Sequence, residues 1–181
     1  GVLLNWAQSY HWWMHRKGYR PVDSTAYEMN VHYGIDRADS RELCKTFCES
    51  AAVGFLPPLR DAVKYVRKLH EEHGAIFHCI TSMSDDPWAI KLREENLDRI
   101  FGKGVFERVV CLPCGDDKDE ALKRYEDSNF VWVEDKAENA ELGVEMGLNT
   151  FLIDHIYNQG DFHEVTRVNN WKEIYEYIGG K

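Results

Sequence analysis

Apolar positions along the chain change repeatedly between helical and strand-like spacing from residue 59 onward. Ala62, Val66 and Leu69 recur at helical intervals, and Gly74 suits the position that follows a helix. Short apolar runs separate such segments. The predicted helices are Arg60–His73, Asp85 or Asp86 to Gly102, Asp119–Tyr125, Ala137–Met146 and Trp171–Ile178, and the predicted strands are Ala75–Ile80, Glu107–Leu112, Phe130–Val133 and Thr150–Ile153. Strands that alternate with helices indicate an α/β fold with a parallel, Rossmann-like sheet covered on both faces.

The N-terminal third has a different pattern, with helices and no convincing strand between Leu4 and Phe55. Asn5–Lys17 is predicted to be a helix rich in aromatic residues. Asp39, with Glu42 three residues later, resembles a capping box at the start of a helix that ends near Ser50. We therefore expect a small helical cap over residues 5–55, and a core domain made of residues 1–4 and 56–181.

Length and charge narrow the class of protein. A chain of 181 residues is long enough to bury one domain's core, and 44% hydrophobic with 29% charged residues is ordinary for a globular protein. The formal net charge of −9 argues against binding to a nucleic acid polymer, which requires a basic surface. No apolar run reaches the ~20 residues of a membrane span. We expect a cytoplasmic protein without a membrane partner, either a monomer or a homodimer.

The five cysteines do not suggest a disulfide framework, since their number is odd. Cys111 and Cys114 have CxxC spacing, and together with Cys44 and Cys48 they could form a zinc site with four thiolate ligands. A single CxxC is common by chance, so we favour the simpler interpretation of buried or half-buried thiols at the end of a strand.

Two adjacent acids follow the third predicted strand. Glu134 and Asp135 come directly after Phe130–Val133, at the carboxyl end of a buried strand, where an unpaired carboxylate is costly. A divalent cation would offset that cost, and Mg²⁺ commonly takes one or two protein carboxylates together with water and phosphate. The ordinary alternative is a pair of acids that caps the next helix.

Two further polar groups follow other strands. Thr81 and Ser82 come after the first predicted strand, where a hydroxyl and free backbone N–H groups can hold a phosphate oxygen. Lys118 opens a short helix, and there its amine could neutralise a phosphorylated group; a plain loop and a surface lysine are the alternatives. Ligands bind beyond the carboxyl ends of the strands in sheets of this kind, so the three clusters should converge.

The first residues, Gly1-Val2-Leu3, look like the end of an Asp-x-Asp-Gly-[Val/Ile/Thr]-Leu motif. With the later Thr-Ser, Lys and Glu-Asp clusters they resemble, over essentially the whole chain, the haloacid dehalogenase (HAD) superfamily. The segments Cys79–Ser82, Leu152–Asn158 and Arg167–Ile174 resemble more closely the cytosolic-type 5′(3′)-deoxyribonucleotidase family. The motif's two aspartates would precede Gly1, so the chain is expected to be a fragment.

The resemblance implies a Mg²⁺-dependent phosphomonoester hydrolase that forms an aspartyl-phosphate, with a deoxynucleoside monophosphate as the leading substrate. Thr81 and Ser82 match the phosphate-binding motif. Lys118 matches the charge-neutralising lysine, with Lys123 as the second choice. Asp135 matches the direct metal ligand and Glu134 an outer one, while Asn139 would order the loop. A phosphatase for another metabolite and a non-catalytic HAD-like binding protein remain alternatives.

Three expectations follow from the resemblance. The chain from Gly1 should be catalytically inactive, because the nucleophile and the acid/base are absent. It should also fold poorly without the strand that carries them. The aromatic residues Trp6, Tyr10, Trp12 and Trp13 are expected either to stack on a nucleobase or to form the core of the cap.

Overall fold

A computed structural model describes residues 1–179 and shows an α/β architecture. Five short strands and further helices follow an N-terminal region that contains helices but no strand. The helices are α1 (Trp6–Arg16), α2 (Met29–Tyr33), α3 (Arg37–Cys48), α4 (Ala62–His73), α5 (Pro87–Phe101), α6 (Asp119–Leu122), α7 (Ala137–Glu145) and α8 (Trp171–Gly179), and the strands are β1 (Phe77–Ser82), β2 (Phe106–Leu112), β3 (Val131–Glu134), β4 (Asn149–Ile153) and β5 (Thr166–Val168). No helix in this range is long and apolar enough to cross a membrane.

Side-chain caps determine where the N-terminal helices begin. The Asn5 side chain accepts a hydrogen bond from the backbone N–H of Gln8, which starts α1 where the sequence predicts it. Helix α3 begins earlier than predicted, because the Asp36 side chain caps the backbone N–H of Ala38. The expected capping box at Asp39 is therefore wrong: Asp39 already lies in the first turn, where its charge favours the helix dipole.

All strand pairs are parallel, as the alternating pattern predicts, but they form two sheets rather than one. Strand β1 pairs with β2, with Thr81 opposite Cys111, and a separate sheet has the order β3-β4-β5. Val133 lies opposite Phe151 in this second sheet. Within residues 1–179, no backbone pairing joins β1 to β3.

The two sheets nevertheless share the same apolar layers. On one face, Ile80 of β1 and Trp132 of β3 contribute to a cluster with Leu122 and Leu148. On the opposite face, Cys79 of β1 and Val133 of β3 pack against the main core. Because neighbouring residues of a strand point to opposite faces, β1 and β3 each contribute side chains to both of these layers.

The N-terminal helices share the main hydrophobic core with the α/β part. Tyr10, Met14 and Phe47 are completely buried in the same cluster as Val66 and Leu97. A 3₁₀ helix, Ala51–Phe55, then leads into the α/β part along α5. The division into a cap over residues 5–55 and a core domain stays a prediction.

Several element bounds differ from those predicted by the sequence. Strand β1 ends at Ser82 and β3 at Glu134, so Thr81, Ser82 and Glu134 belong to the strands rather than to the loops after them. The predicted helix Asp119–Tyr125 is an α-turn followed by a 3₁₀ turn. Helix α2 and strand β5 were not predicted, because each is too short to show a repeat of apolar positions.

Candidate active site

A buried ion pair lies at the carboxyl end of β3. The Lys118 amine donates to Oε1 of Glu134, and the exposed fractions of the two residues are only 9% and 1%. Burial works to lower the pKa of Lys118, but the charge and hydrogen bond of Glu134 outweigh it, so the pKa lies above its usual value. Lys118 is therefore a fixed cation that faces Glu134.

Both oxygens of the Glu134 carboxylate have protein partners. Besides the Lys118 amine, Oε1 accepts from the side-chain amide of Asn139. Oε2 accepts from the backbone N–H groups of Asp135 and Lys136. These contacts join Glu134 to the loop after β3 and to Asn139, and the role of Asn139 in ordering that loop stays a prediction.

Asp135 is the more accessible acid, with 20% of its side chain exposed. Its Oδ2 accepts a 2.6 Å hydrogen bond from the Tyr157 hydroxyl, and Asn158 donates to its backbone carbonyl. Its Oδ1 lies 4.0 Å from the α-amino group of Gly1. Burial acts to raise the pKa of Asp135, whereas the Tyr157 hydroxyl and the charge of Lys118 act to lower it.

The backbone at Gly1 passes against this carboxylate. A Cβ atom added at Gly1 would overlap the Asp135 carboxyl group, so a larger residue there would require that carboxyl group to move. The Gly1 carbonyl is bound by Nε2 of His155 at 2.8 Å, and Trp171 donates its indole N–H to the carbonyl of Val2. The opening Gly1-Val2-Leu3 residues therefore lie beside the acids of β3.

The two hydroxyl residues lie at the end of β1, next to the same edge. Ser82 donates a 2.7 Å hydrogen bond to the carbonyl of Asp116, two residues before Lys118. Among the described residues, no hydrogen bond joins Thr81 or Ser82 to Lys118 or to Asp135. The structure therefore brings together Lys118, Glu134, Asp135 and Asn139, and links Ser82 to them only through the 116–118 loop.

Lys123, the second choice for the motif lysine, lies elsewhere. Its amine pairs with Glu120, and 57% of the Lys123 side chain is exposed. It pairs within its own short helix and takes no part in the buried cluster. The placement of the two lysines supports Lys118 over Lys123.

The N-terminal aromatic residues divide between core and surface. Trp6 stacks on Tyr10 with ring centroids 4.6 Å apart, and Tyr10 also contacts Trp13 in the same helical core. Trp12 is 69% exposed. The structure therefore supports the second interpretation for Trp6, Tyr10 and Trp13, which form part of the core of the helical segment.

A different aromatic residue from the N-terminal region reaches the acids. The Tyr27 ring lies 5.2 Å from the ring of Tyr157, which in turn stacks on His155. Tyr27 and Tyr157 line a cleft of about 310 Å³ with Asp135, Glu138 and Phe162. Burial and the nearby acids raise the pKa of both tyrosines, so both hydroxyls stay protonated.

Three further residues at this edge were not predicted from the sequence: Tyr157, Asn158 and Tyr27. The first two follow β4, and the rule that strand ends meet at one edge would have identified them. Tyr27 lies in an irregular loop between α1 and α2, and only the tertiary structure brings it to the acids.

The donors present at this edge fit a single hard cation. Asp135 offers one carboxylate whose Oδ1 accepts no hydrogen bond from residues 1–179, and Mg²⁺ needs only one or two such ligands when water and phosphate supply the rest. Residues 1–179 hold no group of three or more His, Cys, Asp or Glu side chains in metal-binding geometry. The four-thiolate zinc site is therefore wrong, and all five cysteines are free.

The fold is similar to that of two solved structures. One, described as "a predicted phosphatase from Clostridium acetobutylicum", has a TM-score of 0.60 and 12% identity, covering 96% of this chain and 90% of its own. The other, a dehalogenase with an intermediate complex, has a TM-score of 0.54 and 15% identity, covering 95% of this chain and 80% of its own. No protein-family model and no curated protein matches the sequence.

These similarities define the architecture: the chain has the HAD-like α/β fold. At 12% and 15% identity they do not carry activity from either structure to this chain.

Proposed function

We propose that the protein is a HAD-type phosphomonoester hydrolase that depends on Mg²⁺. The observation that carries the proposal is the cluster at the carboxyl end of β3, where a fixed Lys118 cation and the Asp135 carboxylate lie beside Gly1. A cation beside a metal-binding carboxylate is the arrangement that a transferring phosphoryl group requires. A residue attached before Gly1 would lie close to Asp135.

In this proposal each residue has one role. Thr81 and Ser82 bind the phosphate oxygens, and Lys118 neutralises their charge. Asp135 binds the metal directly. Glu134 holds Lys118 in place and contributes to the metal site without binding the metal itself. Mg²⁺, when bound, supplies positive charge to the phosphate oxygens.

The covalent step uses an aspartate that precedes Gly1 in the longer protein. Its carboxylate attacks phosphorus and breaks the bond to the ester oxygen, and a second aspartate gives its proton to the departing alkoxide, which leaves as the alcohol. Water then hydrolyses the aspartyl-phosphate. On this proposal, residues 1–181 by themselves hydrolyse no phosphate ester.

The proposed substrates are deoxynucleoside monophosphates. Support comes from the resemblance of Cys79–Ser82 and of the Leu152–Asn158 and Arg167–Ile174 segments to deoxyribonucleotidases. The cleft beside Asp135 is bounded by Tyr27, Tyr157 and Phe162, whose rings suit stacking on the base of the nucleoside.

The test uses a protein extended upstream of Gly1 by its own genomic sequence. We expect hydrolysis of deoxynucleoside monophosphates that requires Mg²⁺ and is lost in Asp135→Asn, whereas Glu134→Gln weakens it. Inorganic phosphate release is the measurement, and Lys123→Met is the matched control that should keep full activity. An Asp135→Asn protein with normal activity would contradict the metal assignment. An upstream sequence without Asp-x-Asp, or an inactive extended protein that still binds inorganic phosphate, would indicate a binding protein.

A further inference from the structure

The loop after β4 places a histidine between the opening residues of the chain and Asp135. His155 follows the end of β4 by two residues, and its Nε2 lies 2.8 Å from the carbonyl oxygen of Gly1. A carbonyl oxygen can only accept a hydrogen bond, so Nε2 carries a hydrogen atom and donates it. The nitrogen of Gly1 lies 4.0 Å from Oδ1 of Asp135. His155 therefore holds the backbone at the point where it passes the acid.

The imidazole ring is packed on the residue that orients Asp135. The rings of His155 and Tyr157 are stacked, with centroids 4.8 Å apart and an angle of 6° between their planes. The Tyr157 hydroxyl donates to Oδ2 of Asp135. One stacked pair of rings thus contacts both groups: His155 binds the Gly1 backbone, and Tyr157 binds the carboxylate.

The backbone of His155 is held as well. Its N–H donates to Oδ1 of Asn158 at 3.0 Å, and the side-chain amide of Asn158 donates to the backbone carbonyls of Asp135 and Ile153. Asn158 is buried, and the Arg167 guanidinium also donates to its Oδ1. A side chain whose backbone, ring and donor nitrogen all have partners is held in one orientation, which is what a positioning residue requires.

We propose that His155 is a positioning residue for phosphoryl transfer. Its Nε2–H group fixes the backbone at Gly1, and it thereby sets the position of the residue attached before Gly1 relative to Asp135. The inference rests on the proposed function, in which the upstream segment supplies the attacking aspartate and Asp135 binds the metal. In this role His155 acts through the Gly1 carbonyl and does not touch the phosphate.

Positioning of this kind acts on the rate of the chemical step. A displacement of the attacking oxygen by about 1 Å costs about 100-fold in rate, even when the substrate still binds. In the proposed function Thr81, Ser82 and Lys118 bind the phosphate, and none of them depends on His155, so KM should change little. The expected signature of a lost positioning bond is therefore a lower kcat with KM nearly unchanged.

The test compares three variants of the protein extended upstream of Gly1 by its own genomic sequence. His155→Phe keeps a ring that can stack on Tyr157 but has no donor. Glutamine places an amide N–H group near the position of Nε2, whereas asparagine is one methylene group shorter and does not reach the Gly1 carbonyl. We expect kcat for deoxynucleoside monophosphates to fall by about 10–100-fold in His155→Phe and His155→Asn, and to be largely restored in His155→Gln.

His78→Phe is the matched control. His78 also has a tyrosine as its neighbour: it forms a hydrogen bond with the Tyr125 hydroxyl, and the two ring centroids are 5.6 Å apart. It lies near the start of β1, at the opposite end of that strand from Ser82, so this variant should keep full kcat. Thermal unfolding followed by circular dichroism checks that each variant is folded. If His155→Phe is unfolded, the comparison of His155→Gln with His155→Asn decides, because both lack the ring.

Three results would overturn the inference: full kcat in a folded His155→Phe or His155→Asn protein, equal losses of kcat in His155→Asn and His155→Gln, or a loss that appears in KM while kcat is unchanged. A wild-type extended protein that hydrolyses no phosphate ester would overturn the proposed function, and this inference with it. The two failures are distinguishable, because only the second is seen without any substitution.

Discussion

The hydroxyl of Tyr157 donates a 2.6 Å hydrogen bond to Oδ2 of Asp135, and it joins the loop after β4 to the end of β3. This bond fixes the direction of a carboxylate whose other oxygen is turned towards Gly1. Partners of this kind orient a metal ligand without touching the metal, and their loss commonly costs 10–100-fold in metal affinity.

We therefore predict that Tyr157→Phe raises the Mg²⁺ concentration needed for half-maximal activity by about 10-fold in the upstream-extended protein. The ring and its stacking on His155 remain, so folding should be preserved. Tyr125→Phe is the control, because it also removes one hydroxyl hydrogen bond, that to His78 on β1. An equal effect of both variants would show that Tyr157 does not act through Asp135.

The Lys118–Glu134 pair should contribute strongly to stability. Lys118→Met or Glu134→Gln leaves a buried charge without its partner, so each should lower the free energy of unfolding by ~3–5 kcal/mol. The double variant removes both charges and should cost less than the sum of the two. Chemical denaturation of the four proteins measures the coupling.

The matched control for this cycle is the exposed Lys123–Glu120 pair. Lys123→Met should leave the free energy of unfolding unchanged within experimental error, because an exposed pair gains little in water. Additive effects of Lys118→Met and Glu134→Gln would mean that the two groups do not interact in solution.

Asp154 should make stability depend on pH in the acid range. The Gln159 amide, together with the Arg167 guanidinium at 2.9 Å, holds the pKa of Asp154 below its usual value. A carboxyl group whose pKa is lowered by folding stabilises the protein above its unfolded pKa, ~3.9. That contribution is lost as the pH falls through the lower, folded pKa.

We predict that Asp154→Asn lowers the unfolding temperature at about pH 6 and that its difference from the wild type shrinks towards about pH 2.5. Thermal unfolding followed by circular dichroism across this range is the measurement. Gln159→Ala should reduce the same pH dependence without abolishing it, since Arg167 remains. A constant difference between Asp154→Asn and wild type at every pH would exclude ionisation of Asp154 as the cause.

The division of the sheet leads to a prediction about stability. Within residues 1–179 β1 pairs only with β2 and β3 only with β4, although both strands contribute to the same apolar layers. We expect a strand upstream of Gly1 to lie between β1 and β3 and to pair with both. Each large apolar side chain that such a strand buries would add ~1.5–3 kcal/mol. We expect a protein extended upstream of Gly1 to unfold at a clearly higher temperature than residues 1–181. A cooperative transition at the same temperature in both would show that no upstream strand fills this position.

Much of the architecture could be predicted from the sequence because periodicity and turn residues are local signals. Helix α5 begins after Asp86 and ends before Gly102, as the Asp-Pro and Gly positions predict. The HAD-like fold and the parallel pairing are confirmed. The split into two sheets could not be predicted, since it depends on which strand edges meet in space.

The candidate site was only partly predictable for the same reason. Glu134, Asp135 and Lys118 follow strands or open a helix, and the structure brings them together. Their roles stay predictions. The partners that fix them come from elsewhere: Tyr157 follows β4, and Tyr27 belongs to an irregular loop with no recognisable pattern.

The shared core of the N-terminal helices has a consequence for how molecules reach Asp135. Asn96 and Arg99 of α5 donate to the carbonyls of Leu56 and Gly54, which fastens the connecting segment. Swinging the helices away would break these bonds and expose Tyr10 and Phe47 to water. The cleft that Tyr27 lines with Asp135 offers a way to the carboxylate that needs no movement of these helices. Exchanging these helices with those of a related protein would also require changing the residues of the α/β part that pack against them.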